Sequence, residues 1–303
     1  MKQKVISILS IVILFLTLIN PASIYAKTNA VKPINEKLGV PIVVYGANLS
    51  AEEKEYVATA LRVSEESEYD EISISGQDLV KYIKNSNASS RMYSSAKITR
   101  QEEGKGLIIS IVTPDNITQV TSEMYATAML TAGITDAIVE VAAPKPVTGH
   151  SALVGIYKAY EMKTGEVLDV ERTDVANEEL TMATELAEKS GASDGVVADL
   201  LTQIKKTIAE QNPATKEEVE KIVKDQLEKY GVTLSESDIN ALVALMDRIS
   251  KLDIDFNQLS NQLSDLSQKF EEKFGAILQD EGFWASVKNF FVNLIDTIAS
   301  WFK

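Results

Sequence analysis

The stretch VAAPKPVTGHS, residues 141–151, separates two different kinds of sequence pattern. Upstream of it, short β-branched runs alternate with helical segments, which is typical of a sheet with packed helices. Downstream of it, the apolar residues recur with helical spacing in every segment. The sequence therefore predicts an α+β or α/β domain with a mixed sheet over residues 38–163, followed by an all-helical domain over residues 174–280.

The upstream region predicts the element order β-α-β-α-β-β-α-β-α. Strands are expected over residues 40–46, 72–75, 92–100, 107–112 and 135–141, because each is a short, β-branched or alternating run. Ser50 and Glu53 form a capping box that predicts a helix to about residue 62. Gly104 and Gly106 lie between the third and fourth strands and predict a hairpin. Gly133 is expected to end a helix over residues 121–132.

The loop at residues 144–151 is the first candidate for a ligand site, because loops after strands carry most sites in sheets of this kind. Ser151 or Thr148 is expected to cap the next helix, whose free N–H groups could hold a carboxylate or a phosphate. The alternative interpretation is a connector stiffened by its prolines. The candidate ligand or partner residues are Pro144, Pro146, Thr148, Gly149, His150 and Ser151.

Composition excludes several chemistries. The chain has no cysteine and one histidine, which excludes thiol nucleophiles, disulfides, Cys-ligated zinc and His-rich metal sites. Gly149, His150 and Ser151 resemble the start of a nucleophile elbow, but Leu153 replaces its last glycine and no second histidine could act as the base. We expect neither cofactor nor metal.

The N-terminus predicts export. Lys2 and Lys4 precede an apolar run over residues 5–19, and Ala26 is a small residue at a suitable cleavage position. We interpret residues 1–26 as a signal peptide, because the run is shorter than the roughly 20 residues of a spanning helix; an uncleaved anchor is the alternative. A cysteine-free exported chain fits a Gram-positive exterior. A net charge of −14 argues against nucleic acid as a partner.

Downstream of residue 174, N-cap residues and apolar stripes predict a series of helices. They are expected to begin at Asn177, Ser193, Thr215 and Ser235, and Gly191 is expected to end the first. Apolar residues recur in heptads over residues 237–278, which predicts a coiled-coil segment. The heptad positions are Leu242, Leu245, Ile249, Leu252, Phe256, Leu259, Leu263, Leu266, Phe270 and Ile277.

The C-terminal segment, residues 282–303, is predicted to form an amphipathic helix with an aromatic face. That face is too large to stay exposed on a soluble monomer. We expect it to pack within the protein or against another copy, and a membrane surface is the less favoured alternative because few basic residues accompany it. The candidate interaction face comprises Phe283, Trp284, Val287, Phe290, Phe291, Leu294, Ile298 and Trp301.

Several segments resemble a family of secreted Firmicute proteins of unknown function, typified by YpuA. The resemblance rests on residues 43–50, 123–126, 141–161 and 243–253, with Ala142-Ala143-Pro144 to Gly149 its most specific part. It implies export and an envelope-associated role, and it implies no catalytic or ligand residues.

These observations predict a secreted or envelope-associated binding or structural module that assembles through its helical arm. Its partner would be a protein, a second copy of the chain or a cell-wall ligand. A carboxylate-based hydrolase of wall polymers is the first alternative, with Asp115 and Asp136 as candidate acids near strand ends. A peripheral membrane protein that docks through its aromatic helix is the second.

Overall fold

Five strands form one mixed sheet in the computed structural model, which describes residues 36–252, 261 and 262. In spatial order the strands are β2, β1, β3, β5 and β4. The pairs β1–β2 and β4–β5 are parallel, whereas β1–β3 and β3–β5 are antiparallel. The strands are β1 (Ile42–Gly46), β2 (Asp70–Ile74), β3 (Ser95–Arg100), β4 (Leu107–Ile111) and β5 (Ala137–Ala142).

Eight α-helices accompany the sheet in the described part of the chain. The first four alternate with the strands, and the last four follow one another. They are α1 (Ala51–Ala60), α2 (Gly76–Tyr82), α3 (Ser122–Ala132), α4 (His150–Thr164), α5 (Val170–Ser190), α6 (Asp194–Gln211), α7 (Lys216–Lys229) and α8 (Glu236–Ser250). This confirms the predicted mixed sheet and the predicted element order.

The predicted hairpin between the third and fourth strands is wrong. Strand β5 lies between them, and its Val139 is paired with Ile98 of β3 on one side and Ile109 of β4 on the other. Gly104 and Gly106 do adopt positive φ, as expected of glycines in a turn, but the turn does not join two paired strands. Strand β5 is almost wholly buried, so the backbone N–H and C=O groups along both of its edges need hydrogen-bond partners, which β3 and β4 provide.

Both faces of the sheet are covered, as the alternation of side chains along β1 shows. Ile42 and Val44 point to the face on which most of the helices pack, whereas Val43 and Tyr45 belong to a smaller cluster with Val57 of α1. Successive residues of a strand face opposite sides, so a fully buried strand requires two apolar layers. The chain therefore has helices on both sides of its sheet.

The sheet and the later helices share one hydrophobic cluster. Helix α4 packs on β1, β2 and β3, while α3 packs against α5 and α6. The predicted apolar stripes are buried in this cluster. They include Val196, Val197, Leu200, Leu201, Ile204 and Ile208 of α6 and Val219, Ile222, Val223 and Leu227 of α7. The division into an α/β and a helical domain stays a prediction.

Local capping signals located most helix ends. The capping boxes at Ser50 and Thr215 are both present, and Ser193 and Ser235 cap their helices as predicted. The predicted start of α5 at Asn177 is wrong. That helix begins at Val170, because the side chain of Asp169 accepts a hydrogen bond from the backbone N–H of Arg172.

An ion pair is buried where α3, α5 and α6 meet. Lys205 Nζ lies 2.7 Å from Glu179 Oε1, and both side chains are 0% exposed. The ammonium also donates to the carbonyl of Thr127 at 2.7 Å and to the hydroxyl of Thr131 at 2.9 Å. All three ammonium protons thus have acceptors, as a buried charge requires.

Some predicted features fall outside the described residues: the signal peptide, the heptad positions after Leu252 and the aromatic face from Phe283 to Trp301. Before that point, Leu242, Leu245 and Ile249 are buried within the chain by contacts of α8 with α5, α6 and α7. Among residues 36–252, 261 and 262, no helix is long and apolar enough to cross a membrane.

Candidate functional site

The carboxyl ends of four strands meet at one edge of the sheet. Gly46 at the end of β1 is paired with Ile74 at the end of β2, and Ile111 at the end of β4 with Val141 of β5. Strand β3 runs in the opposite direction and so begins at this edge. The loops that leave a sheet at such an edge are the usual location of ligand sites.

A cavity of about 960 Å³ lies at this edge. Its walls come from α2, the segment that joins α2 to β3, the loop after β5, the start of α4, and α5, and Arg248 of α8 also contributes. Leu79, Ile83 and Met92 supply apolar surface, while serine, threonine and asparagine side chains supply polar atoms. The volume is that of a site for a small molecule or a short peptide.

Four of the six predicted loop residues line this cavity: Thr148, Gly149, His150 and Ser151. Pro144 and Pro146 are not among the lining residues, and Pro146 is exposed. The structure therefore brings the second half of the predicted loop to the cavity and leaves the prolines outside it. A ligand role for these residues stays a prediction.

Hydrogen bonds hold this loop against the segment that precedes α3. The backbone N–H of Val147 donates to the carbonyl of Asn116 at 3.0 Å, and that of Thr118 donates to the carbonyl of Val147 at 2.9 Å. The phenol of Tyr125 donates to the carbonyl of Gly149 at 2.6 Å. The cavity wall is thus fixed by hydrogen bonds within the chain.

Gly149 is the N-cap of α4, so the predicted cap at Ser151 or Thr148 is wrong. Its φ of 103° is one that L side chains rarely adopt. A Cβ at this position would also lie 2.8 Å from Ile117 Cγ2 and 2.8 Å from the hydroxyl of Tyr125. Because glycine has no side chain, no side-chain hydrogen bond caps the first turn of α4.

Charges in the cavity are distributed unevenly. The guanidinium of Arg248 pairs with Asp174 at 3.0 Å and also with Glu178. The guanidinium of Arg91, which lines the cavity and is exposed, forms no ion pair within the described part of the chain. Both acids of the wall are therefore paired, while one cation is free.

Burial favours the neutral form of His150. Burial lowers its pKa below the ordinary value of 6.5, because the imidazolium loses hydration at this position. The side chain can therefore offer one N–H donor and one acceptor nitrogen to the cavity.

Ser94 was missed by sequence reasoning. It lines the cavity, is only 1% exposed, and its hydroxyl has no hydrogen-bond partner. A buried polar group without a partner is rare in folded proteins. Residues 92–100 were predicted as one strand, and nothing in that pattern distinguishes Ser94, which lies just before the observed start of β3.

The acids considered for hydrolysis do not meet. Asp136 precedes the start of β5 and accepts a hydrogen bond from the N–H of Gly106 at 2.7 Å. Asp115 lies beyond the end of β4. Since β4 and β5 are parallel, these two acids lie at opposite edges of the sheet. The described residues also contain no group of three or more His, Asp or Glu that could hold a metal ion.

Comparison with known proteins identifies relatives of unknown function. The family model described as "Protein of unknown function (DUF1002)" matches residues 45–266, which include every residue that lines the cavity. The uncharacterized protein YpuA of Bacillus subtilis (strain 168) is 37% identical over 273 residues, covering 88% of this chain and 91% of YpuA. No solved structure matches the chain. The resemblance identified in the sequence is confirmed.

Proposed function

This chain belongs to the DUF1002 family of proteins of unknown function, and we propose that it is a ligand-binding protein of the cell envelope. It would be exported by its N-terminal signal peptide and bind a ligand in the cavity at the strand ends. The single observation that supports binding is that cavity, with its volume of about 960 Å³ and its position at the carboxyl ends of four strands.

The residues around the cavity favour binding over catalysis. Asp174 and Glu178 are tied to Arg248, which leaves neither as a free general acid or base. Ser151 and His150 are neighbours in sequence on one helix, where adjacent side chains diverge. A binding role needs only shape and hydrogen-bonding groups, and the cavity has both.

A fragment screen tests this proposal. The full chain is mixed with a fluorine-labelled library of neutral, anionic and cationic fragments, and binding is detected by ligand NMR. Thr181 lines the cavity, is exposed, and its hydroxyl donates to the carbonyl of Asn177 one turn earlier at 3.0 Å. Thr181→Trp should place an indole ring in part of the cavity and weaken the binding of fragments.

Thr59 provides a matched control. It is an exposed threonine on α1 whose hydroxyl donates to the carbonyl of Glu55 at 2.9 Å, and it does not line the cavity. Thr59→Trp should leave every fragment bound. The proposal is wrong if no fragment binds the native chain, or if both tryptophan variants behave alike.

We also propose that the segment after Leu252 contacts a protein partner or a second copy. The support is its heptad spacing and its aromatic residues, which form an apolar stripe if helical. Phe290→Asp with Phe291→Asp should lower the mass measured by light scattering if copies associate through this stripe. Loss of liposome flotation at unchanged mass would instead favour the membrane alternative.

A further inference from the structure

We propose that the cavity takes a carboxylate-terminated ligand the size of a short peptide, with the carboxylate seated at the start of α4. This proposal rests on the binding role proposed above. The proposal names the chemical class of the ligand. Three independent groups of observations support it: the hydrogen-bond donors, the charges, and the mixture of apolar and polar residues in the walls.

The start of α4 provides backbone donors at one end of the cavity. Gly149 caps the helix without a side chain, so the N–H groups of the first turn have no side-chain acceptor. A helix start carries a partial positive charge of about half a unit, which favours an anion. Thr148 and Ser151, which also line the cavity, place two hydroxyls beside this helix start.

Ser94 provides the second, independent sign of a missing acceptor. Its hydroxyl is buried in the cavity wall without a hydrogen-bond partner, a condition that normally destabilises a protein. Its neighbour Ser95 pairs with Ala142, the last residue of β5, so Ser94 lies at the end of the sheet from which the loop to Gly149 departs. A ligand oxygen that accepts from Ser94 would supply the missing partner of this hydroxyl.

The charge of the cavity fits a monoanion. Arg91 is the free cation of the wall within the described residues, while Lys84 and Arg248 are paired with acids of α5. Asp174 and Glu178, although paired with Arg248, still oppose a phosphate dianion more strongly than a singly charged carboxylate, because the repulsion grows with the charge of the ligand. A carboxylate needs only one positive charge and a few N–H or O–H donors.

The remaining walls fit a peptide better than a fatty acid. Leu79, Ile83 and Met92 can contact apolar side chains. Asn85 and Thr181 lie in the same cavity, and their polar atoms would lose hydration without gaining partners against an acyl chain. A peptide presents amide groups and side chains in alternation, which matches this mixture.

Calorimetric titration of the full chain tests the ligand class. The probes are acetyl-Leu-Ala-Ala with a free carboxylate, the same peptide with a C-terminal amide, octanoate and inorganic phosphate. We expect the peptide acid to bind at least about tenfold more tightly than its amide, the size of one hydrogen bond to a charged group. Equal binding of acid and amide, tighter binding of octanoate or phosphate, or no binding of the peptide acid would overturn the proposal.

These outcomes are separate from failure of the binding role itself. If neutral fragments bind in the cavity in the screen described above while the peptide acid does not bind, only the carboxylate inference fails. If no fragment binds, both fail.

Two variants identify the groups that hold the carboxylate. Ser94→Ala should weaken binding of the peptide acid about tenfold. The thermal stability of the free protein should stay equal or rise, because the substitution removes a buried hydroxyl that has no partner. If Ser94 has only a structural role, Ser94→Ala will bind the peptide acid with unchanged affinity. Unchanged affinity would therefore overturn the role of Ser94 in holding the carboxylate. Arg91→Gln should weaken binding about threefold, as expected for an exposed ion pair. Arg100→Gln, at the far end of β3, is the charge-matched control and should change nothing.

Discussion

Replacement of Lys205 by methionine should destabilise the protein by about 3–5 kcal/mol. The change keeps most of the side-chain volume but removes the ammonium, which leaves the carboxylate of Glu179 buried without a counter-ion. Both side chains are 0% exposed and their charged atoms are 2.7 Å apart, so solvent cannot screen the remaining charge. Breaking a buried pair at one partner costs about 3–5 kcal/mol in other proteins.

The expected loss is measurable as a melting temperature lower by about 6–20 °C, given about 2–4 °C per kcal/mol for a chain of this size. Circular dichroism during thermal and urea unfolding would supply both values. The double variant Glu179→Gln with Lys205→Met leaves no charge at this buried site. It should be more stable, by at least about 2 kcal/mol, than the sum of the two single effects predicts.

Lys221 provides the control for this experiment. It pairs with Asp225 on the surface of α7, where its side chain is 76% exposed, so Lys221→Met should not shift the melting temperature measurably. Equal effects of Lys205→Met and Lys221→Met would refute the reasoning. Additive effects in the double variant would refute it as well, because the two buried charges would then not depend on each other.

Three further changes concern the cavity wall. Gly149→Ala should lower the free energy of unfolding by about 1–3 kcal/mol in urea, because its φ of 103° is strained for alanine; an unchanged midpoint would contradict this. Tyr125→Phe should cost about 1 kcal/mol in the same assay, since it removes the 2.6 Å hydrogen bond to Gly149; a gain in stability would contradict it. For His150, whose pKa is lowered by burial, the unfolded chain binds more protons below pH 6.5, so stability should fall as pH drops from 6.5 towards the lower folded pKa. His150→Gln should remove that part of the pH dependence, and the same slope in both proteins between pH 7 and 5 would contradict the assignment.

The element order of the fold could be predicted because its signals are local. The capping boxes at Ser50 and Thr215 need only residues within one turn, and both are present. Strand pairing is not local. Gly104 and Gly106 form a turn between β3 and β4, yet the burial of β5 requires it to lie between these strands. A sequence pattern shows which strands are apolar and does not show which strands are neighbours.

The cavity could be predicted only in part for the same reason. The loop at residues 144–151 was identified because it follows a strand and precedes a helix, two features visible in sequence, and only its second half lines the cavity. Ser94 and Arg91 come from a segment that looked like a strand and its preceding loop. Asp174 and Glu178 belong to a helix that begins at Val170, earlier than the start predicted at Asn177. Their proximity results from tertiary packing among α2, α5 and the sheet edge.

Two glycines explain how the segment that carries Arg91 and Ser94 stays against the sheet. A Cβ at Gly46 would lie 2.3 Å from the carbonyl oxygen of Met92, and one at Gly76 would lie 2.1 Å from that of Ala88. Neither glycine has positive φ, so the absence of a side chain serves close backbone approach rather than turn geometry. The N–H of Met92 also donates to the side chain of Asn48 at 2.8 Å. The segment thus contacts both the end of β1 and the start of α2, and the loop to Gly149 is held by its own hydrogen bonds. Because both walls of the cavity are held by contacts within the chain, a ligand would not have to order them, and more of its interaction energy would appear as affinity.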